Sequence, residues 1–114
     1  MPELLAVTAS LMNNKILNRI ALITDARFSG ASQGPMIGHV TPEAYVGGPI
    51  AIIQNGDIIN IDVPNRQLNL ELTDEEIQQR MNKWHPPENM IKSPVLLKYR
   101  ALVTDAAHGC VMKY

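Results

Sequence analysis

Apolar and polar positions follow two rhythms along this chain. Leu68-Asn-Leu-Glu-Leu72 alternates strictly, as a strand with one buried face does. Ile20-Ala-Leu-Ile23 is a short continuous apolar run, which predicts a buried strand. That run ends in Thr24-Asp25 and enters a loop holding Arg27, Phe28 and Ser29. Gly30 and Gly34 follow, and let the backbone turn tightly or approach a ligand. Ahead of this strand, Pro2 to Met12 predicts a helix: Pro2 suits the first turn and Leu4, Leu5, Leu11 and Met12 offer an apolar face. Asn13-Asn14-Lys15 breaks it.

Further on, Thr41-Pro42-Glu43 predicts a helix start with Thr41 as N-cap, and Gly47-Gly48 its end. Pro49 to Gln54 and Asp57 to Val63 predict two strands of a hairpin about Asn55-Gly56. Pro64-Asn65-Arg66 turns the chain into the alternating strand. Thr73-Asp-Glu-Glu76 spells a capping box, after which Ile77, Met81 and Trp84 share one side of a helix. Those three read as core contacts. Pro86-Pro87 ends the helix, residues 85–94 predict a surface connection, and Val95 to Arg100 predicts another helix. Residues 101–104 fit either its continuation or a last strand. The sum is one mixed α/β domain over residues 1–114, with a curved sheet or small barrel flanked by helices.

Composition narrows the function. Apolar residues make up 46% and charged residues 18%, which suits a globular chain rather than a disordered one. The net charge of −1 and scattered basic residues argue against nucleic-acid binding. Cys110 is the single cysteine, so this chain alone builds no disulfide, iron–sulfur cluster or thiolate zinc site. That usage fits a reducing compartment such as the cytoplasm, or a stroma or matrix in a eukaryote. No membrane span or secretory signal is visible. Met1-Pro2-Glu3-Leu4 could equally be the middle of a longer protein.

By residue type alone, Ser29 is an ordinary loop or capping serine, Glu3 a first-turn acid favourable to the helix dipole, and Arg27 a loop anchor or a holder of a substrate carboxylate. Asp25, Ser29 and His39 invite a hydrolase triad, but the Gly-x-Ser-x-Gly elbow is missing and His39 suits a structural hydrogen bond. His108 and Cys110 form at most a weak base–nucleophile pair near an end expected to fray.

The motifs add a resemblance. Asp25-Ala-Arg-Phe-Ser-Gly30, Ile37-Gly-His-Val-Thr-Pro-Glu-Ala44 and Gly47-Gly-Pro-Ile-Ala51 resemble the C-terminal part of the dihydroxy-acid and phosphogluconate dehydratase family. Asn55-Gly-Asp-Ile-Ile-Asn-Ile-Asp-Val-Pro-Asn-Arg66 and Leu72-Thr-Asp-Glu-Glu76 are similar to its dihydroxy-acid branch. The resemblance implies a swivelling β/β/α-type domain with a barrel-like mixed sheet. It implies loss of water from a 2,3-dihydroxy acid to give a 2-keto acid, in valine and isoleucine synthesis. It implies dimers that use a magnesium ion and an iron–sulfur cluster, with the cluster on an N-terminal domain not contained in these residues.

Carried over by motif, Ser29 is the general base, Ser29, Arg27 and Gly30 are substrate contacts, and Glu3 is a magnesium ligand. Ala26 stands where the family usually has glycine, which would strain the loop if that position needed φ > 0. An alcohol titrates near water, far above neutrality, so making it a base at neutral pH costs on the order of 11 kcal/mol. Arg27 and backbone N–H groups could supply part of that, and a metal ion the rest. Glu3 alone would be one weak ligand. The expectation is a domain that holds no cofactor and is inert by itself, completed by the cluster-binding domain. The alternatives are a non-catalytic module that binds a partner protein, or the same domain of a sugar-acid or phosphogluconate dehydratase.

Overall fold

The computed structural model describes residues 4–12, 19–30, 32–88 and 91–114. These form a small α/β domain with three α-helices and two short two-stranded sheets. Helix α1 is Leu5–Met12. Inside it Thr8 is buried and turns its Oγ1 back to the carbonyls of Leu4 (3.1 Å) and Leu5 (3.0 Å), which satisfies the hydroxyl. The predicted start at Pro2 and the break at residues 13–15 lie outside the described residues.

Strand β1, Leu22–Ile23, pairs in parallel with β2, Met36–Ile37, a strand that the sequence reading leaves inside the loop. The ladder is extended by Leu22 N–H on the Pro35 carbonyl (2.9 Å) and Thr24 N–H on the Ile37 carbonyl (3.0 Å). Two parallel neighbours need a long crossover. Here residues 24–35 are that crossover, so the serine loop joins the two strands of one sheet. Gly34, at φ +96°, turns the chain back into β2.

The next segment departs from expectation twice. Thr41 does not cap the following turn. The one-turn 3₁₀ helix Ala44–Val46 starts after an extended Glu43, and its Ala44 N–H is taken by Asp25 Oδ2 at 2.9 Å. Gly47 closes it in the left-handed region, at φ +82°, with its N–H on the Ala44 carbonyl, as the sequence predicts. Pro49–Gln54 is not a strand. Pro49 opens a second 3₁₀ turn, Pro49–Ile52, because its fixed φ suits the first helical position after the extended Gly48. A short apolar run carries no period that separates strand from buried helical turn.

Asn55-Gly56 does turn the chain: Asp57 N–H reaches the Gln54 carbonyl at 3.1 Å, and Gly56 sits at φ +98°. It joins that 3₁₀ turn to a strand, however, instead of joining two strands. The hairpin lies one turn later. Strand β3, Ile59–Asp62, runs antiparallel to β4, Gln67–Leu70, with Ile59 opposite Leu70 and Asp62 opposite Gln67. Asp62 shapes the tip by accepting Asn65 N–H (3.0 Å) and Asn65 Nδ2 (2.7 Å).

Helix α2, Asp74–Lys83, has the predicted capping box, with Glu76 N–H on Thr73 Oγ1 (3.2 Å) and Thr73 N–H on Glu76 Oε2 (3.0 Å). It packs on the Pro49–Ile52 turn, and its half-buried Ile77, Met81 and Trp84 face inward as expected. Helix α3 is Pro94–Leu102. Residues 101–104 do both things: the helix runs through Leu102, and Val103 bridges to Met112. The C-terminal end is therefore pinned, not frayed. Ala106 N–H reaches Glu43 Oε1 at 3.2 Å and Lys113 N–H the Leu102 carbonyl at 2.7 Å.

The barrel-like sheet is not found. Among the described residues the two ladders remain separate, each two strands wide. Their apolar sides, including Ile23, Ile37, Ile59 and Leu70, face a hollow of about 350 Å³ instead of a closed core. Ile52 is the one large apolar side chain that is buried among the described residues. Val63, Val95, Val46 and Ile58 are more than 60% exposed. The accessible surface is 8922 Å², against roughly 6,200 Å² for a globular monomer of this mass. The radius of gyration of 16.0 Å likewise exceeds the roughly 13 Å of a compact chain of this length.

Candidate active site

The serine loop is held at its first residues by three contacts. Thr24 carries the first, accepting Ala26 N–H on Oγ1 at 3.0 Å, while its carbonyl accepts the backbone N–H groups of His39 (3.2 Å) and Val40 (3.1 Å). Asp25 makes the second, to Ala44. Phe28 makes the third: its ring lies over Gly38, where an added Cβ would come within 3.2 Å of it. Gly38 thus gives the ring its seat.

Ser29 is half-buried, and its carbonyl accepts Ser32 N–H at 3.1 Å. Arg27 and Gly30 are exposed on either side of it, and nothing lies within 4 Å of a Cβ built on Gly30. The loop can therefore present Ser29, Arg27 and Gly30 along one short stretch of backbone. Ala26 causes no strain: among the described residues, the non-glycine ones with positive φ are His39, Arg66 and Cys110. Glu3 lies outside the described residues.

Sequence reasoning passes over Ser32. Its Oγ is buried with no hydrogen-bond partner among the described residues. An orphaned hydroxyl costs about 1–3 kcal/mol unless something satisfies it. Nothing in the residue pattern marks Ser32, because burial of one atom depends on how the loop folds.

The rejected triad stays rejected. The Asp25 carboxylate is directed at a backbone N–H, not an imidazole. His39, at φ +80°, donates its backbone N–H to the Thr24 carbonyl at 3.2 Å. At the other end of the chain, His108 Nδ1 lies 2.6 Å from Asp105 Oδ1 and not against Cys110. The hydrogen bonds from the His108 ring and backbone hold the Asp105 carboxyl below its ordinary value. Among the described residues no three His, Cys, Asp or Glu side chains group so as to hold a metal ion. No helix among them is long and apolar enough to cross a membrane.

The crossover places Ser29 between the exposed Arg27 and Gly30. The family model for the C-terminal domain of dihydroxy-acid/6-phosphogluconate dehydratases matches residues 1–110, and the chain belongs to that family. It is 52% identical over 113 residues to a dihydroxy-acid dehydratase of Sulfolobus acidocaldarius, covering 99% of this chain and 20% of that one. Against the dihydroxy-acid dehydratase of Saccharolobus solfataricus the identity is 54%, with the same coverage. Against that of Methanothrix thermoacetophila it is 48%, over 99% of this chain and 21% of the relative. The chain thus spans about a fifth of the length of these relatives.

Proposed function

We propose that this chain is the C-terminal domain of a hydro-lyase that converts 2,3-dihydroxy acids to 2-keto acids in branched-chain amino-acid synthesis. The observation that carries this reading is the 48–54% identity to dihydroxy-acid dehydratases across 99% of the chain.

In this reading Ser29, as its alkoxide, takes the proton from substrate C2 and passes it to the departing C3 hydroxyl, which leaves as water, and the resulting enol tautomerises to the 2-keto acid. Arg27 and Gly30 contact the substrate, the guanidinium balancing its carboxylate. Glu3 is one magnesium ligand. Magnesium and an iron–sulfur cluster are cofactors of the longer enzyme and would supply Lewis acidity. The part assigned to the described residues is substrate binding and proton acceptance.

The remaining four-fifths of the enzyme, with the cluster-binding domain, covers the apolar surface left open here and closes the site over the serine loop. A swivelling arrangement of the two domains, a dimeric enzyme and a soluble reducing compartment belong to the same reading. The accessible surface of 8922 Å², well above that of a globular monomer of this mass, supports such cover.

The test compares substrates on the full-length enzyme. Turnover of 2,3-dihydroxyisovalerate should exceed that of 6-phosphogluconate by at least about 100-fold in kcat/KM. The reverse preference would assign the chain to the sugar-acid branch. Residues 1–114 alone should turn over neither.

A further inference from the structure

We propose that Asp25 is a positioning residue for the Ser29 hydroxyl, acting through its hydrogen bond to the Ala44 backbone N–H. This rests on the reading of Ser29 as the proton acceptor. The bond joins residues 19 apart, 2.9 Å from Ala44 N to Asp25 Oδ2, and ties the start of the serine loop to the 3₁₀ turn Ala44–Val46. That turn has fixed neighbours of its own. It packs against the Pro49–Ile52 turn, the Tyr45 hydroxyl accepts from Arg100 of α3 at 2.7 Å, and Glu43 holds Ala106.

The anchor therefore reaches the body of the domain, whereas Thr24 and Phe28 hold the loop to the β2 end of its own sheet. Ser29 lies four positions after Asp25, and each residue can span up to ~3.6 Å. With the anchor gone, the loop loses its tie to the body of the domain, and Ser29 can shift with it. A displacement of ~1 Å between reacting groups can cost about 100-fold in rate. Asp25 has no need of contact with substrate to act in this way. Its carboxylate is suited to the task because an ionised acceptor makes a stronger bond to N–H than a neutral one.

Either partner of the bond can be removed. Asp25→Ala deletes the acceptor. Ala44→Pro deletes the donor and leaves Asp25 in place. The backbone suits proline there, because Ala44 is the first residue of its turn and Glu43 before it is extended, at φ −66° and ψ 156°. Asp25→Asn keeps an acceptor oxygen.

Measured on the full-length enzyme with 2,3-dihydroxyisovalerate, Asp25→Ala and Ala44→Pro should each lower kcat about 10- to 100-fold with KM within about twofold. Combining them should add less than about threefold, since both break one bond. Asp25→Asn should recover most of the rate. In an S29A background, Asp25→Ala should change the residual rate by less than about threefold. Full kcat in both Asp25→Ala and Ala44→Pro, with S29A inactive, would overturn the positioning role and leave the Ser29 reading standing. Equal losses in Asp25→Ala and Asp25→Asn, with Ala44→Pro unaffected, would overturn it in favour of a direct role for the charge. A loss that multiplies undiminished in the S29A background would reduce Asp25 to general stability. Full activity in S29A itself would remove the Ser29 reading and this inference with it.

Discussion

Arg80 holds Asp57 with two prongs, Nη1 to Oδ2 at 2.5 Å and Nη2 to Oδ1 at 3.0 Å. Nη1 also donates to the Ile52 carbonyl at 3.2 Å. One guanidinium thus ties α2 to the turn ahead of β3 and to the 3₁₀ turn holding the buried Ile52. The Asp57 carboxylate in turn accepts Gln54 N–H at 2.7 Å. A bidentate pair with additional backbone partners restrains geometry more than a lone surface pair does. Arg80→Ala should speed amide hydrogen exchange in α2 and in residues 52–57 several-fold, and leave β1 and β2 unchanged. Arg80→Lys should restore little, because an ammonium cannot reproduce the fork. Exchange mapped by mass spectrometry reads this directly.

The same pair sets a pH dependence. The side-chain hydrogen bond from Arg80, then the Gln54 backbone N–H, hold Asp57 below its ordinary value of 3.8. Asn65 does the same for Asp62, and Thr73 for Glu76. Each group binds its proton less readily folded than unfolded, so the unfolded chain takes up more protons in acid. The stabilisation is full well above pH 4 and is lost as pH falls through the lowered folded values. Stability followed by circular dichroism should be flat near pH 6–7 and fall below about pH 4. Asp57→Asn should start lower and fall less steeply in that acid range.

Gly48 is required for space, not for unusual dihedral angles. It is buried and extended, at φ −67°, yet a Cβ there would lie 1.7 Å from the Pro42 carbonyl oxygen. Backbone on both sides would have to move. Gly48→Ala should cost on the order of 3 kcal/mol or more. Gly56→Ala is the control: it meets open space and bears only the strain of φ +98°, about 1–2 kcal/mol. Thermal midpoints of the two variants should separate clearly, with Gly48→Ala the lower.

Local chemistry was legible in the sequence and long-range pairing was not. Thr73 and Glu76 cap α2 as their spacing predicts, and Gly47 ends its turn, because both effects act within four residues. The Asn55-Gly56 turn was also readable, but not what it connects: whether Ile50 to Ile53 forms a strand depends on a neighbour to pair with. Thr41 was the obvious cap for the turn at Ala44. Asp25 took that N–H from 19 residues away, which no local rule anticipates. Strand β2 is two residues long and exists only because β1 lies beside it. The serine loop was identifiable from its residues, while its role as a parallel crossover was not. The expected barrel did not form from strands this short, and the apolar faces that suggested it remain open.

Proton acceptance by Ser29 is the central claim, and the Ser29→Ala variant of the full-length enzyme tests it most directly. Turnover of 2,3-dihydroxyisovalerate should fall about 10²- to 10⁴-fold in kcat, the range for losing a general base. KM should move less than about threefold, because one hydroxyl contact weighs far less in substrate binding than in the transition state, where it holds the reacting proton. A Ser29→Ala enzyme with kcat close to that of the unaltered protein would contradict the account.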